Sequence, residues 1–356
     1  MGQARAVEQL QTAIGSGRLH HAFIFHGPAG VGKFTTAVAF AKLLLCQAPT
    51  TDLTGRPQAC GTCEACRALA RGMHPDLHVV TKELAQFSED RDTRTRKLMT
   101  LPYQVLREHL VGPIMLRSTM GHGKVFIVDE AEMIDARGQN ILLKTLEEPP
   151  PGTYLILVTS QLEKMLPTIR SRCQRVAFVP LADEVVATWL DQQGRDLTAA
   201  QRTWLVTFAS GSLGRAAIGI EHQLWTWGET ILPGVNNMAQ GRFSIELGAT
   251  VAKAIDTFAE AAVKGDKQAS KSAANRLGAS LMFSMLGQHA RRKLADTAGK
   301  CNAADPVAAD AALSPWLGVI DAIDVAERNL GANVNLALTC EHLVVTMSRC
   351  LAGAAR

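Results

Sequence analysis

The segment GPAGVGKFTT, residues 27–36, contains nearly every residue of a phosphate-binding loop. Such a loop uses glycines for a tight turn in which successive backbone N–H groups surround a phosphate, and the following helix N-terminus adds partial positive charge. The lysine of the motif reaches the β- and γ-phosphates of a nucleotide. The sequence therefore predicts an ATP-binding site formed by Gly27, Gly30, Gly32, Lys33 and Thr35.

The last position of this motif departs from the usual pattern. A phosphate-binding loop normally ends in a serine or threonine whose hydroxyl ligates Mg²⁺, but this chain has Phe34 there. Thr35 lies about 100° further around the helix, where it is a poor substitute. Backbone amides and Lys33 still suffice to hold ATP, whereas catalysis loses the metal charge that stabilises the transition state. We therefore expect nucleotide turnover to be weak or absent.

A second chemical feature follows the apolar segment Lys124–Val128, which leads into Asp129 and Glu130. A carboxylate at the end of a strand can hold Mg²⁺, directly or through water, and the next carboxylate can polarise the attacking water. Acidic pairs at this position also occur as ordinary charges at helix N-termini. The combination with the loop favours a role for Asp129 and Glu130 in catalysis.

Four cysteines form the pattern C-x13-C-x2-C-x2-C. Four thiolates suit a tetrahedral Zn²⁺ ion, and a fully ligated ion has no open coordination position, so the predicted site is structural. A redox pair would explain only two of the cysteines, and burial without metal is the remaining alternative. His74 is near enough in sequence to replace one thiolate. The predicted zinc ligands are Cys46, Cys60, Cys63 and Cys66.

Short β-rich segments alternate with helical patterns in the first half of the chain, which predicts a parallel sheet with helices on both faces. The predicted strands are Ala22–His26, Leu77–Thr81, Lys124–Val128, Tyr154–Thr159 and Arg175–Val179. The predicted helices between them are Thr35–Cys46, Tyr103–Leu110 and Gly138–Glu147. This α/β order places the phosphate loop after the first strand and the cysteines between its helix and the second strand.

Helical periodicity without strand patterns continues from Pro180 to the end of the chain. We expect a break at Ser210–Gly214, a loop at Pro233–Gly234 and a linker at Asn302–Pro306. The sequence therefore predicts an α/β nucleotide-binding domain over residues 1–179, a small helical lid domain over residues 180–224 and a larger all-α domain over residues 225–356.

Composition and charge exclude several classes of protein. Of the 356 residues, 47% are hydrophobic and 20% are charged, which is incompatible with general disorder. The net charge of +4 permits contact with nucleic acid without arguing for it. The sequence has no membrane-spanning apolar run and no signal peptide, so we expect a cytoplasmic protein whose cysteines are reduced or metal-bound.

Five segments occur in an order that resembles the bacterial clamp-loader subunits of the AAA+ class, in particular the delta-prime branch of the DNA polymerase III subunits. The resemblance is dense from Gly2 to about Phe178 and concerns architecture alone beyond that point. LLKTLEEPP followed by SRC is its most specific part. The segments are GPAGVGK, the four-cysteine module, VDEAE at 128–132, NILLKTLEEPP at 140–150 and SRC at 171–173.

The resemblance implies a hetero-pentamer with gamma, tau and delta subunits that opens a ring-shaped sliding clamp and closes it around primer–template DNA. It also implies that Arg172 is an arginine finger for the ATP of a neighbouring subunit. A guanidinium at the γ-phosphate stabilises the transition state, and in related enzymes this raises the rate by about 10³–10⁵-fold. Thr159 and Ser160 then resemble sensor 1, Arg215 resembles sensor 2, and the C-terminal helices form an assembly collar.

Three functions remain open at this point. The first is a clamp-loader subunit that acts mainly as a stator and donates Arg172 to a neighbour. The second is an ATP-hydrolysing motor of the gamma/tau type, against which Phe34 argues, since the motors keep the hydroxyl. The third is a zinc-dependent nucleic-acid reader, although few basic residues accompany the four cysteines.

Overall fold

The computed structural model describes residues 2–17, 19–95, 100–264, 270–300, 306–332 and 334–352. The chain forms two compact units. The first comprises Met1–Gly194 with Ser210–Gly214, and the second comprises Arg195–Ala209 with Arg215–Arg356. Within the described residues, no helix combines the length and the apolar character that a membrane crossing requires.

A parallel sheet forms the centre of the first unit. Its strands are β1 (Ala22–His26), β4 (Leu77–Val80), β5 (Lys124–Val128), β6 (Thr153–Thr159) and β7 (Gln174–Ala177), while β2 (Thr50–Thr51) and β3 (Pro57–Gln58) form a separate antiparallel hairpin. The order across the sheet is β4-β5-β6-β1-β7, with all neighbours parallel. In the register of β1 with β6, Ala22 pairs with Leu155 and His26 pairs with Thr159.

Each face of the sheet is covered by a hydrophobic core. Along β1, Ala22 and Ile24 belong to one core, and Phe23 and Phe25 belong to the other. Strands buried on both faces read as continuous apolar runs, which is why these segments are recognisable in the sequence. The helices of this unit are α1 (Ala4–Gly15), α2 (Lys33–Leu44), α3 (Glu64–Ala70), α4 (Arg91–Thr95), α5 (Tyr103–Leu106), α6 (Gly112–Ile114), α7 (Ala136–Glu147), α8 (Pro167–Arg172) and α9 (Asp183–Gln192), with a π-helical turn at Arg107–Val111 and 3₁₀ turns at Lys82–Phe87, Ala131–Met133 and Leu162–Lys164.

The described chain after α9 contains only helices and their connections. One hydrophobic core joins them, with Trp227, Phe258 and Phe283 among its buried aromatic residues. The helices are α10 (Ala199–Ala209), α11 (Leu213–Glu221), α12 (Trp225–Met238), α13 (Leu247–Val263), α14 (Lys271–Ala298), α15 (Pro306–Gly331) and α16 (Leu336–Ala352).

The loop predicted at Pro233–Gly234 is wrong, because both residues lie inside α12. The buried side chains Trp227, Ile231 and Val235 form one face that continues past the proline. Proline removes one backbone hydrogen bond from a helix, and burial of this apolar face offsets that loss. The linker predicted at Asn302–Pro306 lies outside the described residues except for Pro306, which begins α15.

The predicted fold class is confirmed: a five-stranded parallel sheet with an inserted four-cysteine module precedes an all-helical region. All five predicted strands are present, and their ends differ from the predicted ends by no more than two residues. The division into three domains at residues 179 and 224 stays a prediction.

Helix α1 covers the free edge of β7 through glutamine side chains. Gln9 Nε2 donates a hydrogen bond to Arg175 O at 3.0 Å. Gln3 Nε2 donates to Val179 O at 2.7 Å and to Val31 O at 3.1 Å, and its Oε1 accepts from Val179 N at 3.3 Å. Gln3 is buried. It therefore joins the sheet edge, the N-terminus of α1 and the phosphate loop.

Gln3→Ala is expected to lower the free energy of unfolding by about 1–3 kcal/mol, because the buried carbonyl of Val31 loses its hydrogen-bond donor. Chemical denaturation followed by circular dichroism measures this change. Gln9→Ala is the matched control, since its bond to Arg175 is exposed and its loss is expected to cost less than about 1 kcal/mol. Equal losses in the two variants would contradict the role assigned to Gln3.

Candidate nucleotide-binding site and cysteine cluster

The candidate nucleotide site lies at the carboxyl edge of the sheet, where the chain leaves three neighbouring strands. β1 leads through residues 27–32 into α2, β5 ends before Asp129, and β6 ends at Thr159. β1 pairs with β6, and β6 pairs with β5. The topology therefore brings the loop, the acidic residues and the polar end of β6 together. Open α/β sheets bind their ligands at this edge.

Two glycines of the loop occupy positions that other residues fit badly. Gly27 has φ +141°, and a Cβ atom there would lie 2.2 Å from Phe178 O. Gly30 has φ +72°, and a Cβ atom there would lie 2.4 Å from Ser212 Oγ. Both positions need a residue without a side chain, since contacts this short and positive φ angles are costly for other residues. The predicted importance of these glycines thus has a steric cause.

Lys33 begins α2 and turns back over the loop. Its Nζ donates hydrogen bonds to Gly27 O at 2.7 Å and to Pro28 O at 2.6 Å. The residue is only 6% exposed. Burial lowers the pKa of its ammonium group, and the carboxylates of Glu132 and Asp129 oppose that change. A buried cation therefore lies against the loop that is predicted to bind phosphate.

The first turn of α2 carries the departure from the loop pattern. Gly32, with φ +96°, caps this helix. Phe34 and Thr35, which follow Lys33, are both exposed. The ring of Phe34 has no atom that can ligate a metal ion, and it stands at the position where the pattern has a hydroxyl.

Asp129 and Glu130 have different surroundings. Asp129 is half-buried. Burial raises the pKa of its carboxyl group, and the charges of Glu130 and Glu132 add to that rise while Lys33 opposes it. Glu130 is exposed, has φ +48° and forms an ion pair with Lys82 Nζ at 2.6 Å. A non-glycine residue in this left-handed conformation costs about 1–2 kcal/mol.

Glu132 is a site residue that the sequence reasoning did not select. Its Oε1 accepts hydrogen bonds from Ser160 N at 3.1 Å and from the Ser160 hydroxyl. Its Oε2 is buried and makes no hydrogen bond to the described residues. The 3₁₀ turn at Ala131–Met133 returns this side chain toward the end of β6. The only signal in the sequence was a third acidic residue in VDEAE, and a short turn of this kind has no distinct pattern.

The two residues predicted as sensor 1 are Thr159, the last residue of β6, and Ser160, which follows it, and their hydrogen bonds differ. Thr159 is 1% exposed, and its Oγ1 accepts a hydrogen bond from Gln161 N at 3.0 Å. Ser160 donates both of its hydrogen bonds to Glu132. The residues that the topology brings together at this edge are Gly27, Gly30, Gly32, Lys33, Asp129, Glu132, Thr159 and Ser160.

The segment predicted as sensor 2 contacts the loop through its first part. Ser212 Oγ donates to Ala29 O at 2.9 Å, and Gly214 N donates to Gly30 O at 3.0 Å. Arg215 follows in the second unit.

The guanidinium of Arg215 lies 5.9 Å from the ring centre of Phe208. Burial lowers its pKa, and Glu327 opposes this while Arg291 adds to it. Phe208, Glu327 and Arg291 all lie in the second unit, and the predicted role of Arg215 toward a phosphate stays a prediction.

Arg172 is the last residue of α8 and makes contacts of its own in the first unit. Its Nη2 lies 2.7 Å from Glu147 Oε1, and its Nη1 donates to Thr168 O at 3.1 Å. The side chains of Arg172 and Glu147 are 38% and 51% exposed. Arg172 is therefore accessible to another molecule while two contacts hold it.

The four predicted cysteine ligands form one cluster, in which all the Sγ atoms lie within 4.8 Å of one another. The Sγ atoms of Cys46 and Cys60 are 3.6 Å apart, and those of Cys46 and Cys63 are 3.9 Å apart. Sulfurs at the corners of a tetrahedron around Zn²⁺, with Zn–S near 2.3 Å, would be separated by about 3.8 Å. His74 lies outside the cluster, and its Nδ1 accepts from Asp76 N at 3.1 Å.

Backbone N–H groups point at the sulfurs of this cluster. Cys60 N, Cys63 N and Cys66 N lie 3.3, 3.3 and 3.4 Å from the Sγ atoms of Cys46, Cys60 and Cys63. The N–H groups of Cys63 and Thr62 lower the pKa of Cys60 to about 6, whereas burial raises the pKa of Cys66 to about 12. Donors of this kind stabilise thiolates, the form in which cysteine binds metals. The cluster fits a metal ion.

The sheet order, the glycine-rich loop after β1 and the acidic residues after β5 define a P-loop domain of the AAA+ class. The model of one protein family, described as "DNA polymerase III, delta subunit", matches residues 2–182. The chain belongs to this family.

Relatives of known name include two delta-prime subunits of DNA polymerase III. The subunit from Pseudomonas aeruginosa is 34% identical over 206 residues, which are 58% of this chain and 57% of the relative. The subunit from Escherichia coli is 30% identical over 226 residues, which are 63% of this chain and 61% of the relative. The gamma/tau subunit of Mycobacterium bovis is 37% identical over 180 residues, which are 50% of this chain and 28% of the relative. The chain thus spans about three fifths of the length of these delta-prime relatives.

Glu132→Gln is expected to lower the free energy of unfolding at pH 7 by about 1–2 kcal/mol, because the hydrogen bonds from Ser160 lose their charged acceptor. Burial raises the pKa of Glu132, but hydrogen bonds from the Ser160 hydroxyl and from backbone N–H groups outweigh it and hold the pKa below its ordinary value. The stabilisation is therefore present above the unfolded pKa of about 4.3 and disappears as the pH falls through the lower folded pKa. Urea denaturation between pH 7 and pH 3 measures this effect. The free energies of unfolding of the unchanged protein and of Glu132→Gln should approach each other as the pH falls.

Glu130→Gln is the control for this comparison, since Glu130 is exposed and has only a surface ion pair with Lys82. Such a pair contributes less than about 1 kcal/mol. If Glu130→Gln destabilised the protein as much as Glu132→Gln, Glu132 would not be the carboxylate on which the end of β6 depends.

Proposed function

We propose that this chain is a clamp-loader subunit of a bacterial DNA polymerase III, which takes part in the ATP-dependent loading of a sliding clamp onto primer–template DNA. The observation that carries the proposal is the family match over residues 2–182, since that segment holds the whole P-loop sheet. The partners we propose are gamma/tau and delta subunits in a hetero-pentamer, with the clamp and the DNA engaged through the complex. The helices of residues 225–356 would serve as the assembly collar.

Within such a complex we assign the chain mainly the role of a stator. The loop amides and Lys33 would hold the phosphates of ATP, with Asp129 and Glu130 on the acidic side and Thr159 with Ser160 as sensor 1. Bound Mg²⁺ would neutralise phosphate charge, and Phe34 gives it no ligand at the usual position. Because that neutralisation grows in the transition state, its loss lowers turnover more than binding. Arg215 keeps its proposed role as sensor 2.

Arg172 supplies the chemistry that this subunit would contribute to its neighbour. Its guanidinium is permanently charged and accessible. At the γ-phosphate of a nucleotide held by the next subunit, it would stabilise the charge that spreads over the phosphoryl oxygens. The subunit would then act on ATP bound elsewhere even when its own loop turns over slowly.

The second candidate function is that of a motor subunit of the gamma/tau type. The identity of 37% to a gamma/tau subunit favours it, and Phe34 speaks against it. The two candidates differ in whether the isolated loop supports Mg²⁺-dependent binding and turnover of ATP.

The metal that we propose for the four-cysteine cluster is Zn²⁺ in a structural role. Four sulfur ligands in a tetrahedral arrangement select zinc or iron–sulfur clusters over harder cations. A closed set of four thiolates leaves no position for substrate, so the ion would hold the insertion together rather than take part in a reaction.

Calorimetric titration with ATP is expected to detect binding by the isolated chain that Mg²⁺ changes little. Lys33→Ala should weaken ATP binding by roughly 10–150-fold. This range corresponds to the loss of about 1.5–3 kcal/mol, the contribution of a hydrogen bond to a charged group. Phe34→Thr should restore a dependence on Mg²⁺, and Lys42→Ala, on the same helix, should change nothing. Absence of ATP binding would mean that the loop is kept for its shape, and strong Mg²⁺-dependent binding would favour the motor.

Elemental analysis of the purified chain is expected to find about one zinc ion per molecule. Cys63→Ser should lower the zinc content and the melting temperature, because structural zinc contributes folding free energy. Cys350→Ser is the control, since Cys350 lies outside the cluster. A metal-free chain that melts at the same temperature with and without a chelator would refute the zinc site.

A further inference from the structure

The end of helix α7 is the most specific part of the family pattern, yet the proposed function gives it no task. This helix contains LLKTLE, the first part of LLKTLEEPP, and ends at Glu147, with Glu148 as the residue that caps it. Glu147 Oε1 lies 2.7 Å from Nη2 of Arg172. The first glutamate of LLKTLEEPP, which is the last residue of α7, is therefore in direct contact with the arginine of SRC.

Two contacts fix the direction of the Arg172 guanidinium. Nη2 pairs with Glu147, and Nη1 donates to Thr168 O at 3.1 Å, a carbonyl of the same helix α8. A guanidinium has five N–H donors in a rigid plane. The two contacts use one N–H of Nη1 and one of Nη2, so three N–H donors remain for a further anion. The pair is partly exposed, which allows the free donors to face another molecule.

We propose that Glu147 is the positioning residue for Arg172, holding its guanidinium in the orientation in which it meets the γ-phosphate on a neighbouring subunit. This inference rests on the finger role given to Arg172 under the proposed function. A long arginine side chain samples many rotamers, and each rotamer that points elsewhere reduces the reactive fraction. Fixing a catalytic group before the reaction lowers the barrier, because the transition state then needs no reorganisation.

Glu148 provides a matched control one residue away. It is exposed, carries the same charge and lies at the same helix end. Replacing either glutamate by glutamine removes one negative charge from the region, so long-range effects on Arg172 are similar. Only Glu147 is within ion-pair distance of Arg172 in the described structure.

The test measures DNA- and clamp-stimulated ATP hydrolysis by the complex assembled from the full chain and its gamma/tau and delta partners. Arg172→Ala is expected to lower kcat by at least about 10³-fold for the one neighbouring site it serves. Glu147→Gln should lower kcat for that site on the order of tenfold with little change in KM for ATP. Glu148→Gln should behave as the unchanged protein. In the Arg172→Ala background, Glu147→Gln should have no further effect.

The outcomes separate the inference from the proposed function. If Arg172→Ala lowers the rate and Glu147→Gln does not, the positioning role is refuted while the finger stands. A higher kcat for Glu147→Gln would mean that the carboxylate competes with the phosphate, which also overturns the inference. An unchanged rate for Arg172→Ala would overturn both. Size-exclusion chromatography and thermal melting of each variant show whether a lower rate comes from lost assembly or lost folding, and a loss of either kind in Glu147→Gln alone would count against a positioning role.

Discussion

A buried ammonium group is the constraint on which the carboxyl edge of the sheet depends. Lys33 is nearly inaccessible to water, and an isolated charge in that position would be costly. The loop bends so that two of its carbonyl groups accept hydrogen bonds from this cation. The acidic residues after β5 then lie close enough for their charges to act on it. The glycines, the turn after β5 and the end of β6 can all be understood as parts of the surroundings of this one charge.

The elements of the sheet could be predicted because each strand is buried on both faces, so its apolar run is visible in the sequence. The four cysteines could be assigned together because thiol chemistry and spacing leave few other arrangements. The loop predicted at Pro233 is wrong because proline usually ends a helix, whereas here the apolar face of α12 continues past it. That outcome depends on packing between helices distant in sequence, which a local pattern does not contain.

The site was only partly predictable for the same reason. Lys33 and Asp129 belong to motifs with fixed spacing, so the sequence identifies them. Sequence analysis selects Glu130, whereas in the structure it is Glu132 that contacts the end of β6. This difference depends on the left-handed conformation of Glu130 and on the short 3₁₀ turn that follows it. One backbone conformation decides which carboxylate pairs with Lys82 and which lies beside Ser160. Likewise, Glu147 and Arg172 belong to two motifs that are separate in the sequence, and only the packing of α7 beside α8 brings their side chains into contact.

The glutamines of α1 have a consequence for how this molecule can associate. An edge strand with free backbone groups invites another strand to pair with it, which leads to aggregation or to strand exchange between copies. In β7 the carbonyl group of Arg175 already accepts a hydrogen bond from Gln9, and two residues beyond its end the carbonyl of Val179 accepts one from Gln3. A strand from another chain would have to displace α1 before it could extend the sheet here. A protein that binds this side of the domain is therefore expected to dock through side chains, because the sheet edge is already covered by α1.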